Sequence, residues 1–540
     1  MSRFEDHLMI APIVLPLLAG AVMLALGGER RRNTNAALNL VATLALLAIS
    51  MALVRNADVS PRGVTEVYRL GNWPTPFAIV LVVDRLAALM VLMTSLLATA
   101  TVVFSLARWH RVSVLFHPLL QFLLMGINGA FLTGDLFNLF VFFEVLLAAS
   151  YGLALHGSGV ARVTAGMHYI VVNLAASLLF LIGVSLIYSV SGTLNMADLA
   201  ARIPTMETAD RALLEAGAGI LGVAFLVKAG MWPLCFWLPG TYAAAPAPVA
   251  SMFAILTKVG AYIVLRLWLL LFGPEAGASA LFGGEWLLVV GMATIMFGEI
   301  GSLASQDMAR LAAFSVLVSS GTVLAAVGMG QPAITGAALF YLISSTLGLS
   351  AFFLLIELVE RGREPGADML AVTRELYGEE NEVEDSSEVG IAVPATMGFL
   401  GLAFVGCALM ISGLPPLSGF IAKFALLGAA LNPPSGAVSA TAWTFLFVLV
   451  LSSLAGIIAM TRAGIHAFWA SSERTVPRVR LIEVAPVIVL LILCIMQTIQ
   501  AGPIMRYMQS TAQSLHVPHD YIRGVLPPAR AWMDRPMGGV

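Results

Sequence analysis

The chain predicts an all-α integral membrane fold of about fourteen transmembrane helices, with two inverted five-helix repeats and two broken helices. Three observations lead there: an apolar composition, a succession of bilayer-length runs, and lysines placed where a soluble protein would not put them. Hydrophobic residues fill 59% of the 540 positions and charged ones only 11%, with a mean hydropathy of +0.91. Soluble chains carry about 25% charged residues. A bilayer offers no water to solvate charge or bare backbone, so its helices must be apolar. The net charge of -2 points to neither nucleic acid nor acidic partners. Cys235, Cys407 and Cys494 stand alone in apolar surroundings, without a CxxC pair or a histidine at metal-ligand spacing. They read as small buried hydrophobes, and no metal or cofactor motif is present.

A bilayer core about 30 Å thick needs about 20 apolar residues per helix. Runs of that length fall at 8–27, 36–54, 77–106, 113–133, 135–155, 164–190, 212–238, 247–272, 285–304, 310–328, 332–359, 392–430, 440–465 and 482–501. The first resembles a signal peptide in length only. Glu5 and Asp6 stand where a basic segment is expected, and Gly28-Glu29-Arg30-Arg31-Arg32 stands where a small-residue cleavage site is expected, so it reads as an uncleaved helix. Most loop arginines, including Arg30, Arg31, Arg32, Arg108, Arg111, Arg162, Arg310, Arg361 and Arg462, follow odd-numbered runs. Cytoplasmic loops collect such charge, which puts both termini outside. The stretch from Arg361 to Glu388 turns acidic and reads as a solvated cytoplasmic loop. Beyond Gln500 no long apolar run remains, and Pro518, Pro527 and Pro528 predict an external, partly irregular tail.

Of 29 basic residues only three are lysines, and all three lie inside apolar runs: Lys228, Lys258 and Lys423. Either basic residue costs about 2.5–3.5 kcal/mol at mid-membrane, so burial does not explain the choice. Titration does. Arginine stays protonated, whereas a desolvated lysine can take up and release a proton near neutrality. Three lysines in a chain that otherwise uses arginine fit a proton relay; the competing reading pairs each with a buried carboxylate to hold helices together.

Glu144 is the carboxylate that fits. Phe142, Phe143, Val145 and Leu146 surround it, and they tolerate it only neutral or paired. Tyr151, about two turns along the same face, can bond into the same seam. Asp84, Asp135, Glu299 and Glu357 lie near predicted helix ends, where solvation or an arginine partner is the simpler account. His168 is the histidine well inside a core run of the first repeat; it can extend the relay or make a helix–helix hydrogen bond.

Two lysine-bearing runs are interrupted, by Gly230-Met231-Trp232-Pro233 after Lys228 and by Gly413-Leu414-Pro415-Pro416-Leu417-Ser418-Gly419 before Lys423. Proline frees a carbonyl, which at membrane depth must face protein or a wet cavity. Paired breaks in corresponding helices mark the ion path of transporters built from inverted repeats. The breaks fall in the seventh and twelfth helices, and an odd offset inverts the second unit. The predicted organisation is a three-helix region over 1–111, a first repeat of helices four to eight over 112–272, a second of helices nine to thirteen over 273–465 with the acidic loop 361–390, and the last helix and tail over 466–540.

These residues resemble a known family. Phe143-Glu144, Val227-Lys228-Ala229-Gly230 running into Trp232-Pro233, Trp237-Leu238-Pro239, Ala245-Pro246-Ala247-Pro248, Leu256-Thr257-Lys258-Val259-Gly260 and the Gly413–Phe420 break are similar to the antiporter-like family. Its members occur in respiratory complex I (the L, M and N types), in membrane-bound hydrogenases and in Mrp/Mnh/Pha-type Na+/H+ antiporters (the A and D types). The resemblance implies a chain of titratable groups along the membrane midplane: Glu144 as the fifth-helix glutamate, Lys228 as its seventh-helix partner, Lys258 in the eighth helix and Lys423 as the twelfth-helix terminal group. A lysine at that last position resembles the D type of the Mrp antiporters more than the M type of complex I. Some relatives carry histidines between the eighth and twelfth helices. Here Ser319, Ser320, Thr322, Ser344, Ser345 and Thr346 stand there instead, and hydroxyls conduct only with water between them.

The resemblance implies a transport subunit rather than an enzyme, working beside other membrane subunits in a bacterial cell membrane and moving protons against Na+ or K+. A second reading is a proton-pumping subunit of a complex I or hydrogenase type redox machine, whose NAD, flavin, quinone or iron–sulfur chemistry would reside in other chains. A solitary transporter of another substrate would need selective polar residues at the breaks, where Trp, Pro, Leu and Ala predominate.

Overall fold

The computed structural model describes residues 7–59, 64–75, 78–361, 395–433, 436–468 and 479–526. The acidic stretch beyond Arg361 lies outside the described residues. The helices are α1 (Ala11–Leu26), α2 (Arg32–Val59), α3 (Arg85–Ser105), α4 (Phe116–Leu132), α5 (Leu136–Ala154), α6 (Val160–Ser191), α7 (Met196–Arg202), α8 (Thr208–Lys228), α9 (Trp237–Ala244), α10 (Ala247–Leu271), α11 (Gly284–Ala304), α12 (Met308–Gly328), α13 (Pro332–Glu360), α14 (Ala395–Ser412), α15 (Ser418–Leu431), α16 (Ala440–Phe468), α17 (Leu481–Ile499), α18 (Ala501–His516) and α19 (Pro518–Val525).

Among the described residues eleven helices are long and apolar enough to cross a membrane, and α1, α4 and α15 are shorter apolar helices. The protein is therefore a multi-pass, essentially all-helical membrane protein. Helix α8 falls outside that set because its opening turns carry Asp210, Arg211 and Glu215 and its last residue is Lys228. Helices α10, α12 and α13 are buried on nearly every side, and α13 packs against α10, α12, α15, α17 and α18. Outer helices show an apolar stripe: Val171, Leu174, Leu178 and Ile182 of α6 are exposed at helical spacing. In water such a stripe would be a liability, whereas in lipid it is the expected surface.

Two parts differ from the sequence expectation. The run expected to be helical from 77 begins as strand β2 (Val80–Asp84), paired antiparallel with β1 (Val64–Arg69) with Tyr68 opposite Leu81. Helix α3 starts only after Asp84, whose Oδ1 accepts the Ala87 N–H at 2.8 Å, a side-chain cap that fixes the boundary. From Ala501 to Val525 the tail is helical, whereas residues 527–540, with Pro527 and Pro528, lie outside the described residues. Its helix α18 is amphipathic, burying Met508, Thr511, Ala512 and Leu515 along α13, so a search for uniformly apolar runs passes over it. His516 at its end contacts Thr335 Oγ1 at 3.0 Å, and burial lowers its pKa to about 4.

Candidate functional site

Helix α8 ends at Lys228, and α9 begins at Trp237. Between them Gly230 takes a positive φ of 70° and the Trp232-Pro233 peptide is cis. The backbone groups freed here find partners within the protein: Met231 N–H donates to the Leu226 carbonyl (2.9 Å), Trp232 N–H to Thr294 Oγ1 of α11 (2.9 Å), and Trp237 Nε1–H to the Val227 carbonyl (3.3 Å). Irregular backbone at membrane depth requires such satisfaction. Gly260 of α10 packs directly on the segment, since a Cβ there would stand 2.7 Å from the Ala229 nitrogen. Lys228 and Lys258 thus sit on elements in backbone contact.

Helix α14 ends at Ser412 and α15 begins at Ser418, with a similar local solution. Gly413 has φ 75°, the Pro415-Pro416 peptide is cis, and Leu414 N–H donates to the Leu409 carbonyl at 2.9 Å. In both segments a positive-φ glycine follows the helix, and the helix is closed by a bond spanning five residues.

Glu144 Oε1 accepts a 2.5 Å hydrogen bond from Ser177 Oγ of α6. The same hydroxyl receives a long 3.5 Å contact from Lys228 Nζ, and that ammonium lies 4.9 Å from the centre of the Phe143 ring, within cation–π range. The expected Glu144–Lys228 pair is therefore bridged: Ser177 stands between the charges. Lys258 is fully buried and donates to Ser320 Oγ of α12 at 3.0 Å. Lys423 donates to Ser453 Oγ of α16 at 2.9 Å and to the Ser412 carbonyl at 3.1 Å, capping the end of α14. Each of the three lysines meets a hydroxyl, and none lies within 4.0 Å of a carboxylate among the described residues.

Two arginines behave differently. Arg266 of α10 grips both oxygens of Asp84, one of them at 2.7 Å from Nη2. Arg361 joins Glu357 (2.5 Å) and Glu483 (2.7 Å). Asp135 caps α5 by accepting the Asn138 N–H at 2.9 Å; burial raises its pKa against the pull of backbone donors. Three of the four weaker carboxylates thus have structural roles. Glu299 departs from that expectation: it is buried, accepts from Ser452 Oγ at 2.7 Å, and has no arginine partner among the described residues.

Between Lys258 and Lys423 the hydroxyls form pairs: Ser319 with Ser345 at 2.7 Å and Ser344 with Ser418 at 3.0 Å. Thr322 and Thr346 instead donate to carbonyls of their own helices. Consecutive serines on a helix point about 100° apart, so Ser320 does not hand directly to Ser319. Tyr151 packs edge-on against Tyr169, ring centres 5.1 Å apart, and its buried hydroxyl has no hydrogen-bond partner among the described residues. His168 is exposed on α6 beside buried Tyr169, on a different side of the helix from the residues that pack inward. The sequence reading missed Ser177, Ser452 and Ser453; their polarity inside apolar runs was the available signal.

Residues 133–455 match the family described as NADH:quinone oxidoreductase/Mrp antiporter, TM. Over 537 residues the chain is 59% identical to the D subunit of a probable K(+)/H(+) antiporter of Rhizobium meliloti (strain 1021), covering 98% of this chain and 99% of the relative. It is 32% identical to the D subunit of a Na(+)/H(+) antiporter of Alkalihalophilus pseudofirmus, over 96% of this chain and 99% of that one. A chain in the structure of the Mrp complex from Dietzia sp. DQ12-45-1b superposes with a TM-score of 0.80 at 26% identity, covering 97% and 99% of the two chains. The chain belongs to the NADH:quinone oxidoreductase/Mrp antiporter family, among the D subunits of Mrp-type monovalent cation/proton antiporters.

Proposed function

We propose that this membrane subunit of a monovalent cation/proton antiporter complex moves protons along a buried line running from Glu144 and Lys228 through Lys258 to Lys423. The observation that carries the reading is the division of labour among basic residues. Arg266 and Arg361 are locked to carboxylates, while Lys228, Lys258 and Lys423 are buried and meet neutral hydroxyls. An arginine-type ion pair holds helices together and keeps its proton. An amine facing a hydroxyl can give its proton away, because the hydroxyl accepts from the ammonium and donates to the neutral amine.

In this reading α4 to α10 and α11 to α16 form two inverted units, with α8/α9 and α14/α15 as their broken helices. The positive-φ glycine and the five-residue closing bond common to the two breaks support that pairing. The distribution of arginines supports both termini lying outside the cytoplasm. Ser177 makes the Glu144–Lys228 pair adjustable: a small motion exchanges a bridged contact for a direct one and shifts the proton balance between them. Tyr151 borders this end of the line. Between Lys258 and Lys423 the serine pairs carry the proton with water filling the steps. The protein works beside other membrane subunits of the complex, and the name of the 59%-identical relative makes K+ the first cation to test.

The test compares Lys423→Arg with Lys423→Ala in everted vesicles, with assembly followed by co-purification of the complex. Both substitutions are expected to lower cation-driven proton transport by about a hundredfold, the scale of losing a proton-transfer group, because arginine keeps the charge without releasing the proton. Wild-type transport by assembled Lys423→Arg complex would show that fixed charge suffices there.

A further inference from the structure

One cavity that borders the serine pairs also contains oxygen donors that the relay does not use, Glu299 and Ser302 among them. It lies among α11, α12, α13, α14, α15 and α16 and is lined by Glu299, Ser302, Ser315, Ser319, Ser345 and Tyr341 together with apolar residues, and no basic side chain lines it. Its volume is about 20 Å3, room for about one water-sized particle. Glu299 and Ser302 are both buried and lie three residues apart on α11, so they share a face. The Ser302 hydroxyl is fully enclosed and has no hydrogen-bond partner among the described residues, although buried polar groups are almost always satisfied. A lone carboxylate charge surrounded by neutral hydroxyl oxygens is a hard donor set, suited to an alkali-metal ion. Ca2+ takes about 6–8 oxygen ligands and Mg2+ keeps several of its waters, for which a space of about 20 Å3 has no room.

Lys423 is tied to the same place. Glu299 accepts from Ser452 and Lys423 donates to the adjacent Ser453, so one turn of α16 connects the carboxylate to the amine. Among the described residues, Lys423 and Tyr341 are titratable groups close enough to Glu299 to feel its charge. Arg462 of α16 is occupied by the backbone carbonyls of Ser302 (3.5 Å) and Ser305 (2.7 Å).

We infer that Glu299 and Ser302 form a binding site for one dehydrated K+ or Na+ ion, in competition with the proton on Lys423. The Glu299 charge is balanced either by protonated Lys423 or by the bound cation. Cation entry expels the lysine proton toward the relay, and the returning proton expels the cation. The inference rests on the proposed relay for the role of Lys423, while the cation site itself stands on the cavity and the unpartnered Ser302.

The test uses the whole solubilised complex and measures its thermal stabilisation by KCl or NaCl over choline chloride at equal ionic strength, beside cation-driven proton flux in proteoliposomes. For Ser302→Ala and Glu299→Gln, the cation concentration giving half-maximal stabilisation and half-maximal flux is expected to rise by about tenfold or more, equivalent to one lost ligand. Lys423→Ala is expected to lose flux yet keep stabilisation at equal or lower cation concentration, since the competing charge is gone. Unchanged half-saturation in both Ser302→Ala and Glu299→Gln overturns the site while leaving the relay to its own test. A fall in maximal flux alone would place Glu299 in the proton path and overturn its role as a cation ligand. Weaker stabilisation in Lys423→Ala overturns the competition.

Discussion

Replacing Lys258 by alanine is expected to abolish cation-driven proton transport, by about a hundredfold or more, in a complex that still assembles. Lys258 is fully buried, and its Nζ bonds Ser320 with no carboxylate within 4.0 Å among the described residues. Its removal therefore strands no opposite charge. Losing a mid-membrane ammonium relieves about 2.5–3.5 kcal/mol, while the space left behind costs about 2–5 kcal/mol, so the two effects nearly cancel in assembly. Lys258→Met keeps the volume and separates them. Dye-reported proton flux in everted vesicles, normalised to co-purified complex, is the measurement. Ordinary antiport by either assembled variant would remove Lys258 from the path.

Glu144→Ala and Lys228→Ala are each expected to abolish transport, with the double variant better assembled than at least one single variant and still inactive. Truncating one member of a buried charge pair costs about 3–5 kcal/mol because the other is left uncompensated. Here Glu144 is only half-buried and Ser177 stands between the pair, so the lower part of that range applies. Thermal unfolding of the complex should show a coupling between the two substitutions of about 1 kcal/mol or more. Ser177→Ala removes the bridge and is expected to weaken that coupling while lowering transport by about tenfold. Additive effects of Glu144→Ala and Lys228→Ala would mean that the two charges do not communicate, and the gating role of the pair would go with them.

What the sequence reveals and what it hides divide along physical lines. Apolar run length is a local property set by bilayer thickness, so the membrane class and most spans could be read directly. The three lysines were legible because burial of a charge is costly enough to be rare. Their partners were not, because Ser177, Ser320 and Ser453 are brought to the lysines by helix packing, which no local pattern encodes. Glu299 was set beside Asp84 and Glu357 as a carboxylate near a helix end. Only the packed structure separates the two held by Arg266 and Arg361 from the one held by Ser452. The exposure of His168 was hidden for the converse reason: a helix in lipid can be apolar on every side, so hydropathy does not say which face points inward. The hairpin before α3 and the amphipathic α18 escaped because one is a short apolar strand continuous with a helix and the other mixes polar and apolar residues.

With only three lysines in the chain, their protonation is directly observable. In complex labelled with 15N-lysine, solid-state NMR reports the side-chain nitrogens, and each of the three is picked out from the lysines of the other subunits by its absence in one Lys→Arg variant. The account predicts that the Lys258 nitrogen passes between its ammonium and neutral-amine signals within the pH range in which the complex transports, and that Lys423 does so when K+ or Na+ is added. Ammonium signals from all three lysines throughout that range, with and without cation, would contradict a relay built on lysines that give up their protons.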